Sequence, residues 1–205
     1  MDSMTSRPAA AARRPNEGPV RGLVFVAVLV AVMWAVEVVD LVAGNLDSAG
    51  IRPREAEGLL GVAFAPVLHG GFGHLMANTV PFVVLGAAIA LSGLARIVAV
   101  TAIVAVVGGL GTWLTAPAGT VHIGASGLVF GFAAYLIARG VYSRRMLHLA
   151  AGLIVIFVYG STLLFGLVPT PGISWHGHAF GAVGGVVAAW LLDRGRVSRP
   201  AAPLR

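Results

Sequence analysis

Six runs of mainly apolar residues constrain what this chain can fold into. The runs occupy residues 23–42, 72–91, 97–116, 124–138, 146–168 and 175–192. A helix needs about 20 consecutive apolar residues to cross the hydrocarbon core of a bilayer. Inside that core the backbone must satisfy its own hydrogen bonds, which favours helices. The sequence therefore predicts an all-α membrane protein, a bundle of six transmembrane helices.

The composition excludes an ordinary soluble domain. Of the 205 residues, 58% are hydrophobic and only 11% are charged, whereas soluble proteins carry about 25% charged residues. Six spans with short connections use up the apolar residues and leave no second domain. We expect a flexible tail at residues 1–21, a membrane domain at 22–193 and a basic tail at 194–205. The chain contains no cysteine, which excludes disulfides and thiolate chemistry.

Arginines account for all fourteen basic residues and predict the orientation of the chain. If the N-terminus is cytoplasmic, only Arg52 and Arg54 fall on the outer side. Cytoplasmic segments of membrane proteins carry an excess of basic residues. Both termini are therefore expected in the cytoplasm, and the net charge of +6 needs no nucleic-acid partner. In the loop at 43–73, the apolar piece 59–68 is too short to span and is expected at the interface.

Few strongly polar side chains fall inside the spans, where such groups are costly and by default functional or partnered. They are His74, Asn78, Ser126, His176 and His178. The derived topology places all five toward the outer end of the bundle. Glu37 and Asp40, three residues apart in the first span, are expected to reach the interface or to cap a loop donor.

The spacing of these residues indicates how they could act together. His74 and Asn78 are four apart and share one helix face. Ser126 lies at a helix start, where backbone N–H groups lack intrahelical partners and can point at an anion. His178 shares a helix face with Gly181 and Gly185, and Gly127 and Gly131 are four apart in the fourth span. Faces of such small residues let helices approach closely in a bilayer. Packing these faces together would bring Ser126 within reach of His178.

A serine hydroxyl becomes a nucleophile when a neighbouring base accepts its proton, and neutral histidine suits that role near pH 7. His74, Asn78 and the Ser126 N–H could stabilise the oxyanion that follows. No carboxylate precedes Asp193 in the second, fourth or sixth span, so a Ser–His dyad is predicted. Taken alone, Ser126 and His178 could equally serve as interhelical hydrogen-bonding partners.

Three motifs in this order resemble the rhomboid family of intramembrane serine proteases. They are His-Gly-Gly-Phe-Gly-His-Leu-Met-Ala-Asn at 69–78, Gly-Ala-Ser-Gly at 124–127 and His-Ala-Phe-Gly at 178–181. The resemblance covers residues 23–192. It implies a six-helix rhomboid-like bundle with Ser126 as the nucleophile and His178 as the base. It further implies that His74 and Asn78 are oxyanion donors.

The same resemblance implies an endopeptidase that cleaves the transmembrane segments of single-span membrane proteins within the lipid bilayer. No cofactor is implied. Two features depart from many bacterial relatives. The loop at 43–73 has no Trp-Arg pair, which leaves its anchoring open, and Phe130 replaces a tyrosine that stacks on the catalytic histidine. Phenylalanine can still stack, so activity is expected to be kept.

Other readings of the polar residues are weaker. His69, His122 and His176 raise the question of a metal, but no carboxylate or cysteine lies near to complete a site. We expect these three to face water or headgroups.

A catalytically silent relative that binds transmembrane helices in quality control is the main alternative, although such relatives lack the serine or the histidine. A small transporter would need midplane charges or repeated halves. The composition favours a bacterial plasma membrane. The derived topology places the site toward the outer face.

Overall fold

The computed structural model describes residues 17–194 and is helical over that range. Its α-helices are α1 (Glu17–Ala43), α2 (Gly61–Phe64), α3 (Phe72–Ala90), α4 (Leu94–Thr115), α5 (Ser126–Ser143), α6 (Met146–Gly166) and α7 (Trp175–Asp193). The predicted tails fall largely outside the described residues, and α1 already begins at Glu17. Each of the six predicted runs corresponds to one long helix, although α1 begins before the predicted 23 and α5 ends after the predicted 138.

Five of these helices, α1, α3, α4, α5 and α6, are long and apolar enough to cross a membrane. Helix α7 has 19 residues, which is sufficient length, but His176 and His178 lower its hydropathy. The described chain is therefore a membrane-type helical bundle with five clear candidate spans. The sixth span remains a prediction, as does the cytoplasmic position of both termini.

Helices α5 and α7 form the centre of the bundle. They pack more extensively against each other than any other two elements, and α4 covers the other side of α7. The apolar side chains on the inner faces of α5 are buried, including Phe132 and Tyr135. Helix α6 packs mainly on α5 and leaves Phe157 91% exposed. In a bilayer such an apolar outer face contacts lipid.

Short helical turns fill the connection between α1 and α3. Three 3₁₀ turns (Leu46–Ala49, Glu57–Leu59 and Ala65–Val67) surround the single turn of α2. This segment packs against α4, where Gly109 leaves the space that the Val62 side chain occupies. The apolar piece at 59–68 is thus a compact set of turns beside the bundle, too short to form a further span.

Candidate active site

Ser126 is the first residue of α5, and a tightly held turn fixes its position. Gly124 has a φ of +106°, which a side chain would strain. Its N–H donates to the carbonyl of Ala65 at 2.8 Å. The next residue, Ala125, is fully buried. The serine therefore sits on a backbone whose path is set by contacts on both sides.

The side chains of Ser126 and His178 are in hydrogen-bonding contact, as their helix faces predicted. The distance between Ser126 Oγ and His178 Nε2 is 2.9 Å. His178 Nδ1 lies 2.7 Å from the carbonyl oxygen of Gly166. Because a carbonyl can only accept, Nδ1 carries the proton in the neutral ring and Nε2 is free to accept one. The Gly166 carbonyl thus orients the ring in the way a carboxylate does in a triad.

Glycines let the two helices approach closely enough for this contact. A side chain at Gly181 would collide with the carbonyl oxygen of Gly127, and one at Gly185 would collide with that of Gly131. The predicted small-residue faces of α5 and α7 are therefore in direct backbone contact. Residues larger than glycine at these positions would separate Ser126 from His178.

The ring of Phe130 stacks on the imidazole of His178. Their centroids are 4.1 Å apart and their planes differ by 6°. The far edge of the Phe130 ring packs against Gly166, whose carbonyl also holds His178. Phe130 therefore supplies the stacking that the sequence predicts, and the histidine is restrained from its face as well as from its Nδ1 edge.

His74 and Asn78 lie one turn apart on α3, and His74 borders the turn before Ser126. A side chain at Gly124 would come within 2.6 Å of His74 Cε1, so the imidazole lies directly against that turn. Asn78 is buried, and its Nδ2 donates to the His74 carbonyl at 3.0 Å. The second hydrogen of that amide nitrogen remains for another acceptor. The N–H of Ser126 has no acceptor among the described residues, as expected at a helix start.

The prediction that His69, His122 and His176 face water or headgroups is wrong for two of them. His69 is 1% exposed, and its Nε2 accepts a hydrogen bond from the Ala125 N–H at 3.3 Å. Burial lowers the pKa of His69 to about 4, with a further contribution from His74. His176 is also buried, and the centroid of its ring lies 3.7 Å from that of the Trp175 ring. Both rings are covered by neighbouring parts of the chain. Which parts approach them depends on the path of the loops, which the sequence does not show.

His122 is half-buried and hydrogen-bonded on both ring nitrogens. Burial lowers its pKa, and the nearby His176 lowers it further. Within the described residues, no group of three or more His, Cys, Asp or Glu side chains is arranged to hold a metal ion. The histidines at this end of the bundle are therefore organised by hydrogen bonds and ring contacts.

The loop between α1 and α3 is anchored by residues that sequence reasoning missed. The Arg54 guanidinium donates to the carbonyls of Leu114 and Ala116, at 3.1 and 2.8 Å. Trp113 Nε1 donates to the carbonyl of Glu55 at 2.8 Å. A cation on the last carbonyls of α4 also interacts favourably with the helix dipole. The anchor thus comes from Arg54 and Trp113, which are far apart in sequence and gave no motif.

The carboxylates of α1 behave partly as predicted. Asp40 Oδ1 accepts the Leu46 N–H at 2.6 Å and so caps a loop donor. Glu37 is 6% exposed, and its Oε2 has no hydrogen-bonding partner among the described residues. Neither carboxylate contacts Ser126 or His178 in the described hydrogen bonds.

The sequence of this chain is similar to those of known proteins. The family model described as the Rhomboid domain matches residues 56–195, which include α2 to α7. An uncharacterized protein of Mycobacterium tuberculosis is 46% identical over 201 residues, covering 92% of this chain and 83% of the relative. An uncharacterized protein of Mycobacterium leprae is 45% identical over 182 residues, covering 84% and 72%. The "Putative rhomboid protease YdcA" of Bacillus subtilis is 28% identical over 126 residues, covering 61% and 63%.

Proposed function

Because this chain belongs to the rhomboid family, we propose that it is an intramembrane serine endopeptidase with a Ser126–His178 dyad. The observation that carries the proposal is the 2.9 Å contact between Ser126 Oγ and a His178 Nε2 that is free to accept a proton. Its substrates are single-span membrane proteins. It acts in a bacterial plasma membrane, with six spans, both termini cytoplasmic and the site toward the outer face.

The first half of the reaction forms an acyl-enzyme. Ser126 Oγ attacks the scissile carbonyl carbon while His178 Nε2 accepts the hydroxyl proton. The resulting imidazolium is stabilised by the bond from its Nδ1–H to the Gly166 carbonyl. When the tetrahedral intermediate collapses, the C–N bond breaks and His178 gives its proton to the departing amine.

The second half is hydrolysis of the ester. His178 accepts a proton from water as the water oxygen attacks the acyl carbon, and Ser126 leaves with that proton restored. In both halves the negative charge on the carbonyl oxygen is stabilised by donors that are already in place. We assign this role to the Ser126 N–H, to His74 beside the same turn, and to Asn78 one helical turn further along α3.

A lateral cavity supports a transmembrane segment as the substrate. The cavity lies between α3, α5 and α6 and has a volume of about 210 Å³. Its lining includes Pro81, Phe130 and Tyr159. Phe130 also stacks on His178, so one wall of the cavity borders the ring of the proposed base. A helix that enters there must unwind locally, because helical hydrogen bonds and side chains shield its peptide bonds.

Cleavage of a single-span reporter co-reconstituted in liposomes tests the proposal. The wild type should cut the reporter, while Ser126→Ala and His178→Ala should each lose roughly 10³-fold or more in rate. Ser161→Ala, which removes an exposed hydroxyl on α6, is the matched control and should cut like the wild type. Equal melting temperatures must accompany the comparison.

Two results would contradict the proposal. One is equal cleavage by the wild type and Ser126→Ala. The other is no cleavage of any reporter by a folded wild-type protein that still binds reporter helices. The second result would favour the silent helix-binding alternative.

A further inference from the structure

We infer that His122 and Ser174 form a second Ser–His pair that positions the dyad, with His122 as the positioning residue. This inference rests on the proposed function. The distance between His122 Nδ1 and Ser174 Oγ is 2.7 Å. His122 precedes Ser126 by four residues, and Ser174 precedes His178 by four. The two pairs therefore join the same two segments of chain at successive positions.

The hydrogen bonds around His122 fix which atom donates in the pair. Thr120 Oγ1 donates to the carbonyl of Pro117 at 2.6 Å, because that carbonyl can only accept. Thr120 Oγ1 therefore accepts from His122 Nε2–H, at 2.8 Å. In the neutral ring this leaves Nδ1 as the acceptor, and the Ser174 hydroxyl donates to it. Both ring nitrogens are thereby used: Nδ1 joins the two segments, and Nε2–H holds the ring against Thr120 in its own segment.

Ser174 transmits its position directly to His178. The His178 N–H donates to the Ser174 carbonyl at 3.1 Å. Ser174 is the N-cap residue of α7, yet its side chain makes no capping bond to the helix. A side chain at Gly177 would come within 2.9 Å of Ser174 Oγ, so a glycine there leaves room for the hydroxyl. The Ser174 hydroxyl therefore bonds to His122 instead of capping α7, which is the usual role of a serine at this position.

The backbone of His122 adds the loop between α1 and α3 to this arrangement. Its N–H donates to the Ile51 carbonyl and its carbonyl accepts from the Ile51 N–H, both at 3.0 Å. Three loops thus meet at one residue: the loop held by Arg54, the turn before Ser126 and the start of α7. His122 therefore connects the segments of the nucleophile and the base through its side chain, in addition to the backbone contact between α5 and α7.

Positioning of this kind acts on the chemical step. A misplacement of about 1 Å between reacting groups can cost roughly 100-fold in rate. Loss of the His122–Ser174 bond should loosen the separation of Ser126 and His178 without removing either group. Neither residue of the pair lines the lateral cavity, where we place the entry of the substrate helix. Both line a smaller cavity of about 50 Å³ beside Ser126, which is too small to hold a transmembrane segment. We therefore expect kcat to fall while KM changes little.

Reporter cleavage by paired variants tests the positioning role. Ser174→Ala and His122→Phe should each lower kcat roughly 10- to 100-fold, with KM close to the wild-type value. Ser174→Thr retains the hydroxyl and should restore most of kcat. Thr170→Ala removes a hydroxyl from the same loop, where it bonds only to the Val168 carbonyl, and should behave as the wild type. The double variant should be no slower than the slower single variant.

A second measurement separates this inference from the proposed function. In the Ser126→Ala protein, which needs no activity, Ser174→Ala should speed hydrogen exchange of the amides at 118–124 and Thr170→Ala should not. If the wild type fails to cleave but exchange rises as expected, the proposed function fails and the pair stands. If Ser174→Ala matches Thr170→Ala in exchange and in kcat, or if Ser174→Thr is as slow as Ser174→Ala, the positioning role is overturned.

Discussion

The two ends of the helical bundle are held together by different forces. At the serine end, which contains Ser126, His178 and His74, the buried groups of the site share hydrogen bonds, and the ion pairs of Arg52 involve the exposed side chains of Glu55 and Glu57. At the opposite, ion-pair end, Asp193 Oδ2 lies 2.9 Å from Arg96 Nη1, and Asp193 Oδ1 lies 3.5 Å from Arg139 Nε. The hydroxyl of Tyr135 donates to the same carboxylate at 3.0 Å.

The ion-pair end stabilises the fold, whereas the serine end contains the groups proposed to carry out the chemistry. Asp193 is 3% exposed and joins α4, α5 and α7 in one buried network. A buried ion pair of this kind strongly penalises loss of one partner. The serine end has neutral imidazoles, which can accept and return a proton, and depends on close backbone packing to place them.

The largest effect on stability is expected from Asp193→Ala. Removal of the carboxylate leaves Arg96 and Arg139 buried without their partner, which should cost about 3–5 kcal/mol of unfolding free energy. Unfolding by SDS in mixed micelles measures this change in unfolding free energy. Glu57→Ala is the control, because it removes a carboxylate from an exposed pair with Arg52 and should cost at most about 1 kcal/mol. Equal losses for the two variants would contradict the distinction between the ends.

His69 should make the serine end sensitive to acid. Its pKa in the folded protein is about 4, below the ordinary 6.5, so the unfolded chain binds the proton first. The stabilisation is complete above about pH 6.5 and is lost as the pH falls toward 4, by up to about 3 kcal/mol. His69→Gln keeps an acceptor for the Ala125 N–H and should lack this part of the slope. If the unfolding free energies of the two proteins change with pH in the same way between pH 7 and 4, the prediction is wrong.

Gly181→Ala should damage both stability and cleavage. The added methyl group meets the Gly127 carbonyl and must push α7 away from α5, at about 1–3 kcal/mol. The same shift separates Ser126 from His178, so cleavage per folded molecule should also fall. Gly160→Ala adds a methyl group in α6, where the nearest atom is 3.9 Å away. That control should leave cleavage unchanged, and a similar loss in both variants would show that close approach is not the cause.

The smallest effect should follow from loss of the stacking on His178. Phe130→Leu retains an apolar side chain but removes an aromatic contact worth about 0.5–1.5 kcal/mol. Cleavage by the folded protein should fall by roughly 2- to 10-fold. Phe157→Leu makes the same change on the exposed face of α6 and should have no effect on kcat. A Phe130→Leu protein with wild-type kcat would show that the stacking does not restrain the base.

Much of the fold followed from the sequence because the apolar runs and the glycine spacing report helix length and helix contact directly. The same patterns brought Ser126 and His178 together, and Phe130 was correctly expected to stack. Arg96 and Arg139 were interpreted only as orientation signals, since their pairing with Asp193 depends on how three helices meet. Their burial is a tertiary property that local hydropathy does not show.

The loops were the least predictable region. Arg54, His122 and Ser174 act through hydrogen bonds between segments that lie 50 or more residues apart. The sequence assigned no role to Ser174, and His69 and His176 were expected to face water or headgroups. Their true partners depend on the backbone path of turns, for which a single sequence contains no periodic signal. The sixth span stays a prediction because the residues of the site lower the hydropathy of α7.

The most direct test of the central claim is to locate a fluorophosphonate adduct by peptide mapping of the labelled, folded protein. Such reagents react with a serine whose hydroxyl proton is taken by a neighbouring base. The account predicts an adduct on Ser126 in the wild type and almost none on Ser126 in His178→Ala of equal stability. An unlabelled Ser126, or labelling that persists undiminished in His178→Ala, would contradict the dyad.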